Sequence, residues 1–106
     1  MTIRYTPQAR QNLRELEQYL SVELKNPGAA RNVVGRIVRD NAALKRFPHM
    51  GMSLAAKTGI ETDLLYRITG KHLVFYRNED QTISIARILD GRQDYMKILF
   101  PGSTED

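Results

Sequence analysis

The stretch LYRITGKHLVFYRNEDQTISIARILDGRQDYMKIL, residues 65–99, decides the fold of this chain. Three runs rich in Ile, Leu, Val, Tyr and Phe predict strands over Asp63–Thr69, Lys71–Arg77 and Thr82–Leu89, and the first of them begins just before this stretch. Gly70 marks the reversal between the first two runs, and residues 78–81 mark the second reversal. Because both connections are short, the sequence predicts an antiparallel meander.

The last of these strands is followed by a polar break and a short helix. Regular alternation is expected to place four of its residues on one face: Ile83, Ile85, Arg87 and Leu89. Asp90 and Gly91 break the strand, and residues 92–100 predict a short amphipathic helix. A sheet that packs helices on one face is expected to leave its other face free to carry function.

Two amphipathic helices precede the meander. Thr6 and Pro7 are typical of a helix start, because a threonine hydroxyl accepts a backbone N–H and proline fits the first helical position. The first helix carries one apolar stripe, formed by Ala9, Leu13, Leu16, Leu20 and Leu24. Asn26 and Pro27 repeat the pattern and begin a second helix that runs to about Arg46. Their short connection predicts an antiparallel helical hairpin.

Together these elements predict an α+β fold. A short N-terminal strand over residues 2–6 comes first, the helical hairpin packs on the antiparallel meander, and the short helix ends the fold. The segment Phe47–Gly51 is predicted as a turn, and residues 52–61 as a loop that can include a short extended piece. A chain of 106 residues has the size of one compact domain. We assign residues 1–102 to that domain and expect residues 103–106 to form a mobile tail.

Composition narrows the possible chemistry. The chain has no cysteine, which excludes disulfides, thiolate metal sites and a cysteine nucleophile. No apolar run approaches the ~20 residues that a transmembrane helix needs, and the N-terminus lacks the apolar core of a signal peptide. We therefore expect a cytoplasmic protein with no membrane partner. No phosphate-binding loop, dinucleotide fingerprint or metal-type histidine pair occurs, so we expect no cofactor and no metal.

The remaining candidate chemistry is cationic, within a net charge of +4. Strands lie ~5 Å apart, so the meander brings four cations within reach of one another: Arg67, Lys71, Arg87 and Arg92. Such a cluster binds phosphates and stabilises charge at a phosphodiester without a metal, and Tyr95 or Asp90 is then the candidate for proton transfer. The alternative is that Arg87 forms a structural salt bridge with Asp90 or Asp94.

Four segments carry a resemblance to a known family. They are YTPQARQNLRELEQYL from residue 5, FPHMG from residue 47, YRITGKHLVFYR from residue 66 and IARILDGRQD from residue 85. In their order and spacing they resemble toxins of type II toxin–antitoxin modules, the RelE/ParE superfamily. The resemblance covers nearly the whole chain and implies the same α+β fold.

Two branches of this superfamily have different activities. RelE-like members cleave messenger RNA on the ribosome without a metal, whereas ParE-like members inhibit DNA gyrase and usually lack the nuclease residues. GKHLVFYR and FPHMG look more like the ParE branch, and Asp90 stands where a histidine is frequent in the family. The resemblance therefore implies a ParE-like gyrase inhibitor that is not an enzyme. The alternatives are a RelE-like mRNA endoribonuclease and a small basic nucleic-acid-binding domain without toxicity.

The resemblance also implies roles for particular residues. A RelE-like catalytic site would use Arg67, Arg87, Arg92 and Tyr95. Target binding is expected at Lys71, Arg77, Arg87 and Arg92. A cognate antitoxin is expected to lay a helix against the hairpin, over Leu13, Leu16, Tyr19, Leu20, Val34 and Val38. Gyrase, or the ribosome with mRNA in the alternative, is the second expected partner, and toxin and antitoxin can form a higher-order complex.

Overall fold

The computed structural model describes residues 1–102, and the tail predicted over residues 103–106 lies outside them. The strands are β1 Thr2–Tyr5, β2 Met52–Ser53, β3 Leu65–Thr69, β4 His72–Glu79 and β5 Thr82–Asp90. The helices are α1 Pro7–Leu24, α2 Pro27–Ala42, α3 Leu54–Thr58 and α4 Tyr95–Leu99, with a 3₁₀ turn over Ala43–Lys45. The α+β architecture predicted from the sequence is confirmed.

Both long helices begin at the residues that the sequence indicates. The Thr6 hydroxyl accepts the Ala9 backbone N–H at 3.1 Å and also donates to the carbonyl of Ala86 at 2.9 Å. One side chain therefore caps α1 and ties its start to β5. The Asn26 side chain caps α2 in the same way by accepting from the Ala29 backbone at 3.1 Å.

The five strands form one sheet in the order β1-β5-β4-β3-β2. The meander is antiparallel throughout, whereas β1 pairs in parallel with β5 at the opposite edge from β2. The residues from Met52 onwards, predicted as a loop, contain the short strand β2 and the helix α3, which Ser53 caps. The short extended piece allowed for in this loop is present as β2, whereas α3 was not predicted, because a helix of only five residues has no periodic stripe to reveal it.

The helical hairpin covers one face of the sheet. α1 packs against both α2 and β5. The buried core on this face consists of Ala9, Ile37, Leu44, Val74, Tyr76, Ile83, Ile85 and Ile88. Ala9, Leu13 and Leu16 of the first apolar stripe therefore pack in this core as predicted, whereas Leu24 at the end of α1 is 46% exposed.

The opposite face of the sheet is not free, and the prediction that it would be is wrong. A second buried cluster lies there, formed by Leu54, Leu64, Tyr66, Phe75 and Leu89. Tyr95, Leu99 and Phe100 from the C-terminal segment pack onto it. The two short helices α3 and α4 bury their apolar residues against this cluster and so cover much of this face.

A β-bulge in β5 overturns the predicted strand phase. Phe75 pairs with Arg87 and Tyr76 with Ile85, which leaves Ala86 without a partner on β4. One extra residue reverses the direction of every side chain beyond it. Leu89 therefore joins the cluster opposite the hairpin, while Ile88 joins the hairpin side.

Candidate functional site

A groove of about 540 Å³ lies between α1 and the far end of β5. We call it the α1 groove. It is lined by Asn12, Glu15, Leu16, Tyr19, His72, Ile88, Asp90, Arg92 and Gln93. One wall is therefore a helix face and the other is the start of β4 with the turn that follows β5.

An ion pair in that turn lies in the α1 groove. The Asp90 carboxylate accepts from the Arg92 backbone N–H at 2.8 Å and from its Nε at 3.2 Å. Gln93 Oε1 accepts from the Asp90 backbone at 2.7 Å, which closes the turn. The hydrogen bonds from Arg92 lower the pKa of Asp90, so its carboxylate is ionised at neutral pH. The Arg92 side chain is 80% exposed and can still meet a partner.

His72 pairs with Asp90 across the two strands and lies beneath this turn. It is only 9% exposed. Burial lowers the pKa of His72, while the nearby Asp90 carboxylate partly opposes that shift. The lowered pKa disfavours the protonated imidazole, and with it a role for His72 as a general acid.

Asn12 on α1 anchors the bulge beside the α1 groove. Its Oδ1 accepts from Arg87 Nε at 3.0 Å and from the Ile88 backbone N–H at 3.1 Å. Arg87 therefore has an amide partner on α1, and neither Asp90 nor Asp94 forms an ion pair with it in the described residues. The salt-bridge alternative for Arg87 is wrong.

Two other predicted cations lie away from the groove. Arg67 donates to the backbone carbonyl of Asp40 near the end of α2, and Thr69 donates to the Asp40 carboxylate at 2.6 Å. Arg77 pairs with Asp63 at 2.8 Å. The contacts with Asp40 hold β3 to α2. The Arg77–Asp63 pair holds the loop before β3 to β4.

A second pocket of about 390 Å³ lies on the opposite face of the sheet, and we call it the sheet pocket. Its lining includes Lys57, Tyr66, Lys71, Phe75 and Tyr95. The rings of Phe75 and Tyr95 lie 5.5 Å apart, and the Lys57 ammonium lies 5.8 Å from the centre of the Tyr66 ring. His72 lines both concavities and separates them.

The predicted catalytic and target-binding residues are thus dispersed. Arg92 lines the α1 groove, Lys71 and Tyr95 line the sheet pocket, and Arg67 is held by α2. The sequence reasoning missed Asn12 and His72, which connect α1, the bulge and the turn. For Asn12, the only signal in the sequence was its position, one residue before Leu13 of the apolar stripe.

The residues predicted to bind an antitoxin divide between core and surface. Leu13 and Leu16 pack against the core, and Leu20 and Val34 are half-buried. Tyr19 is 50% exposed and lines the α1 groove, while Val38 is 41% exposed on α2. Tyr19 and Val38 are therefore the two that are most open to a partner.

Within residues 1–102, no group of three or more His, Asp or Glu side chains is placed to hold a metal ion. None of the helices in that range combines the length and the apolar character that crossing a membrane requires.

Several solved structures resemble this fold, among them chains of two toxin–antitoxin systems. A chain of the chromosomal ParDE toxin–antitoxin system from P. aeruginosa is 20% identical with a TM-score of 0.72, covering 85% of this chain and 95% of that one. A chain of the RelBE2 toxin–antitoxin complex from Mycobacterium tuberculosis is 24% identical with a TM-score of 0.55, covering 84% and 95%. No curated protein gave a sequence match. The architecture is that of the RelE/ParE superfamily, as the sequence predicted.

The family follows from the sequence itself. The model of the family described as "ParE toxin of type II toxin-antitoxin system, parDE" matches residues 3–95. The chain therefore belongs to the ParE toxin family and is the toxin component of a type II toxin–antitoxin system. The predicted preference for the ParE branch is confirmed.

Proposed function

We propose that this toxin inhibits DNA gyrase by binding it through the α1 groove, and that it does not cleave RNA. The observation that carries this proposal is the Asp90–Arg92 pair. The guanidinium in the groove already has a carboxylate partner, with Nε and Oδ1 3.2 Å apart. A second carboxylate, Glu15, lines the same groove.

This charge arrangement disfavours a phosphodiester substrate. Two carboxylates against one arginine repel a phosphate from the α1 groove. Arg67 and Arg87 also donate hydrogen bonds to acceptors within the protein. Neither therefore has its whole guanidinium group available to bind an RNA phosphate. His72 is buried, and its lowered pKa disfavours the protonated form that a leaving group would need. A groove with polar and apolar walls suits a protein segment better.

The sheet pocket supports RNA cleavage as the second candidate. Tyr95 lines it and is half-buried, and an aromatic ring of this kind stacks on unpaired bases, whereas Tyr66 and Phe75 are buried. Lys57 and Lys71 in the same pocket would meet phosphates. Besides His72, none of its lining residues is a histidine or a carboxylate that could exchange a proton with the substrate.

A cognate antitoxin is the second partner that we propose. Tyr19 and Leu16 present an aromatic and an apolar surface in the α1 groove, and the exposed Val38 extends the apolar surface of α2. An amphipathic antitoxin helix that covers Tyr19 would fill the groove and exclude gyrase from it. We expect toxin, antitoxin and gyrase to meet in the cytoplasm.

Controlled induction in a susceptible bacterium tests the target. We expect a DNA damage response and filamentation while messenger RNA stays intact, with rescue by co-expressed antitoxin. The matched control is the Arg92→Ala variant, which removes the groove cation and is expected to lose toxicity. Rapid codon-phased cleavage of transcripts without DNA damage would overturn the gyrase proposal and favour the sheet pocket.

A further inference from the structure

We propose that the solvent face of α2 and the turn after it docks on the phosphate backbone of duplex DNA. We call this surface the α2 cationic face, formed by Arg31, Arg36, Arg39, Lys45 and Arg46. It is separate from the α1 groove, so the proposal goes beyond the proposed function and does not depend on gyrase as the target.

The entire excess charge of the protein lies in the segment that carries this face. Residues 27–46 contain five cations and one acid, Asp40, which gives them a net charge of +4. The rest of the chain contains 11 cations and 11 acids, so it carries no net charge. A basic chain whose remainder is neutral has its positive potential concentrated at one place.

These cations are exposed and have no ionic partner in the described residues. All five are exposed in the structure. Both ion pairs found within residues 1–102 lie elsewhere, at Arg77–Asp63 and Arg92–Asp90. The single acid of α2, Asp40, faces away from them, since its carboxylate accepts from Thr69 on β3.

The helix places its three arginines on one side. At 100° per residue, Arg39 falls opposite the buried Ala30, Ile37 and Asn41, which face the core, and Arg31 and Arg36 lie on the two flanks about 100° and about 120° from them. Gly35 lies among them, and a Cβ built there would come within 3.3 Å of Arg39 Nη1. The missing side chain therefore lets the Arg39 guanidinium lie close along the helix.

The dimensions and composition of the face fit duplex DNA. From Arg31 to Arg46 the chain covers about 22 Å at 1.5 Å per residue, and a duplex presents one phosphate per about 1.7 Å over that length. Single-stranded nucleic acid is held by aromatic rings interleaved with cations, and within residues 1–102 the one ring that stacks with a cation of this face is Phe47, at one end beneath Arg46. An acidic protein would need several carboxylates placed to match these cations, whereas any duplex supplies a regular row of phosphates.

The test is fluorescence anisotropy of the purified toxin with a labelled duplex of about 20 base pairs at several salt concentrations. Five phosphate contacts predict a slope of log K against log salt of about −4.5, or about 500-fold weaker binding between about 50 and 200 mM salt. The triple variant R31Q/R36Q/R39Q is expected to reduce the slope to about −1.8. The matched control R4Q/R14Q/K97Q removes the same charge from elsewhere and should leave the slope unchanged.

Three results would overturn the proposal. The first is the absence of duplex binding at the lowest salt, and the second is an equal reduction of the slope by the control variant. The third is that the wild-type toxin does not bind DNA while the triple variant of α2 binds antitoxin more weakly. The last would assign the face to an acidic protein. Circular dichroism checks that each variant is folded. If the triple variant is unfolded, the single variant R39Q replaces it, with an expected change in slope of about 0.9.

Discussion

Replacing Asn12 by alanine is expected to destabilise the toxin by about 2 kcal/mol, because it leaves a buried backbone donor unpaired. Asn12 Oδ1 is the acceptor for the Ile88 N–H at 3.1 Å, and Ile88 is only 4% exposed. A buried donor left without a partner costs about 1–3 kcal/mol. The second donor, Arg87 Nε, is half-buried and can turn towards water, so it adds little.

Urea unfolding followed by circular dichroism measures this change, with the slope m expected to stay constant. A loss of about 2 kcal/mol corresponds to a fall in Tm of about 8–16 °C for a domain of this size. Asn12→Asp is the matched control, because its carboxylate keeps an acceptor for both donors and should lose less than half as much stability. The reasoning is refuted if Asn12→Ala unfolds like the wild type or if Asn12→Asp is equally destabilised.

Three further predictions concern the turn before β2, the buried histidine and the groove. Gly51→Ala should lower the free energy of unfolding by about 1–3 kcal/mol, because its Cβ would lie 2.5 Å from the Tyr76 hydroxyl; a loss below about 0.5 kcal/mol in urea unfolding would contradict this. Burial lowers the pKa of His72 below 6.5. The stability that neutral His72 contributes to the fold is therefore fully present above that pH and is lost as the pH falls through the folded-state pKa. The free energy of unfolding should therefore fall below pH 6.5 in the wild type and less steeply in His72→Gln, and parallel curves would count against it. Arg92→Ala should reduce toxicity on induction more than Arg31→Ala, which removes one of five cations on its face, whereas equal losses would argue against a site in the α1 groove.

The sequence was sufficient to predict the elements whose signals are local. Thr6 and Asn26 mark the helix starts, and the apolar stripes and short reversals indicate the hairpin and the meander. The parallel pairing of β1 with β5 joins residues about 80 positions apart. No local pattern specifies that contact, because it depends on how α1 and α2 return the chain to the sheet.

The candidate site was harder to predict because one residue changes the phase of β5. Ala86 has no partner on β4, so the simple alternation from Ile85 onwards fails. Arg87 then finds Asn12 as its partner on α1. The sequence did indicate Arg92 and Asp90 as functional candidates, and both line the α1 groove, Asp90 at the end of β5 and Arg92 in the turn that follows it.

The most direct test of the proposed function is a DNA supercoiling assay with purified gyrase and purified toxin. We predict that the wild-type toxin inhibits supercoiling in proportion to its concentration, that added antitoxin restores it, and that Arg92→Ala inhibits far less at the same concentration. Full gyrase activity at a large molar excess of folded toxin would contradict the account, most clearly if the same toxin cleaved messenger RNA on ribosomes.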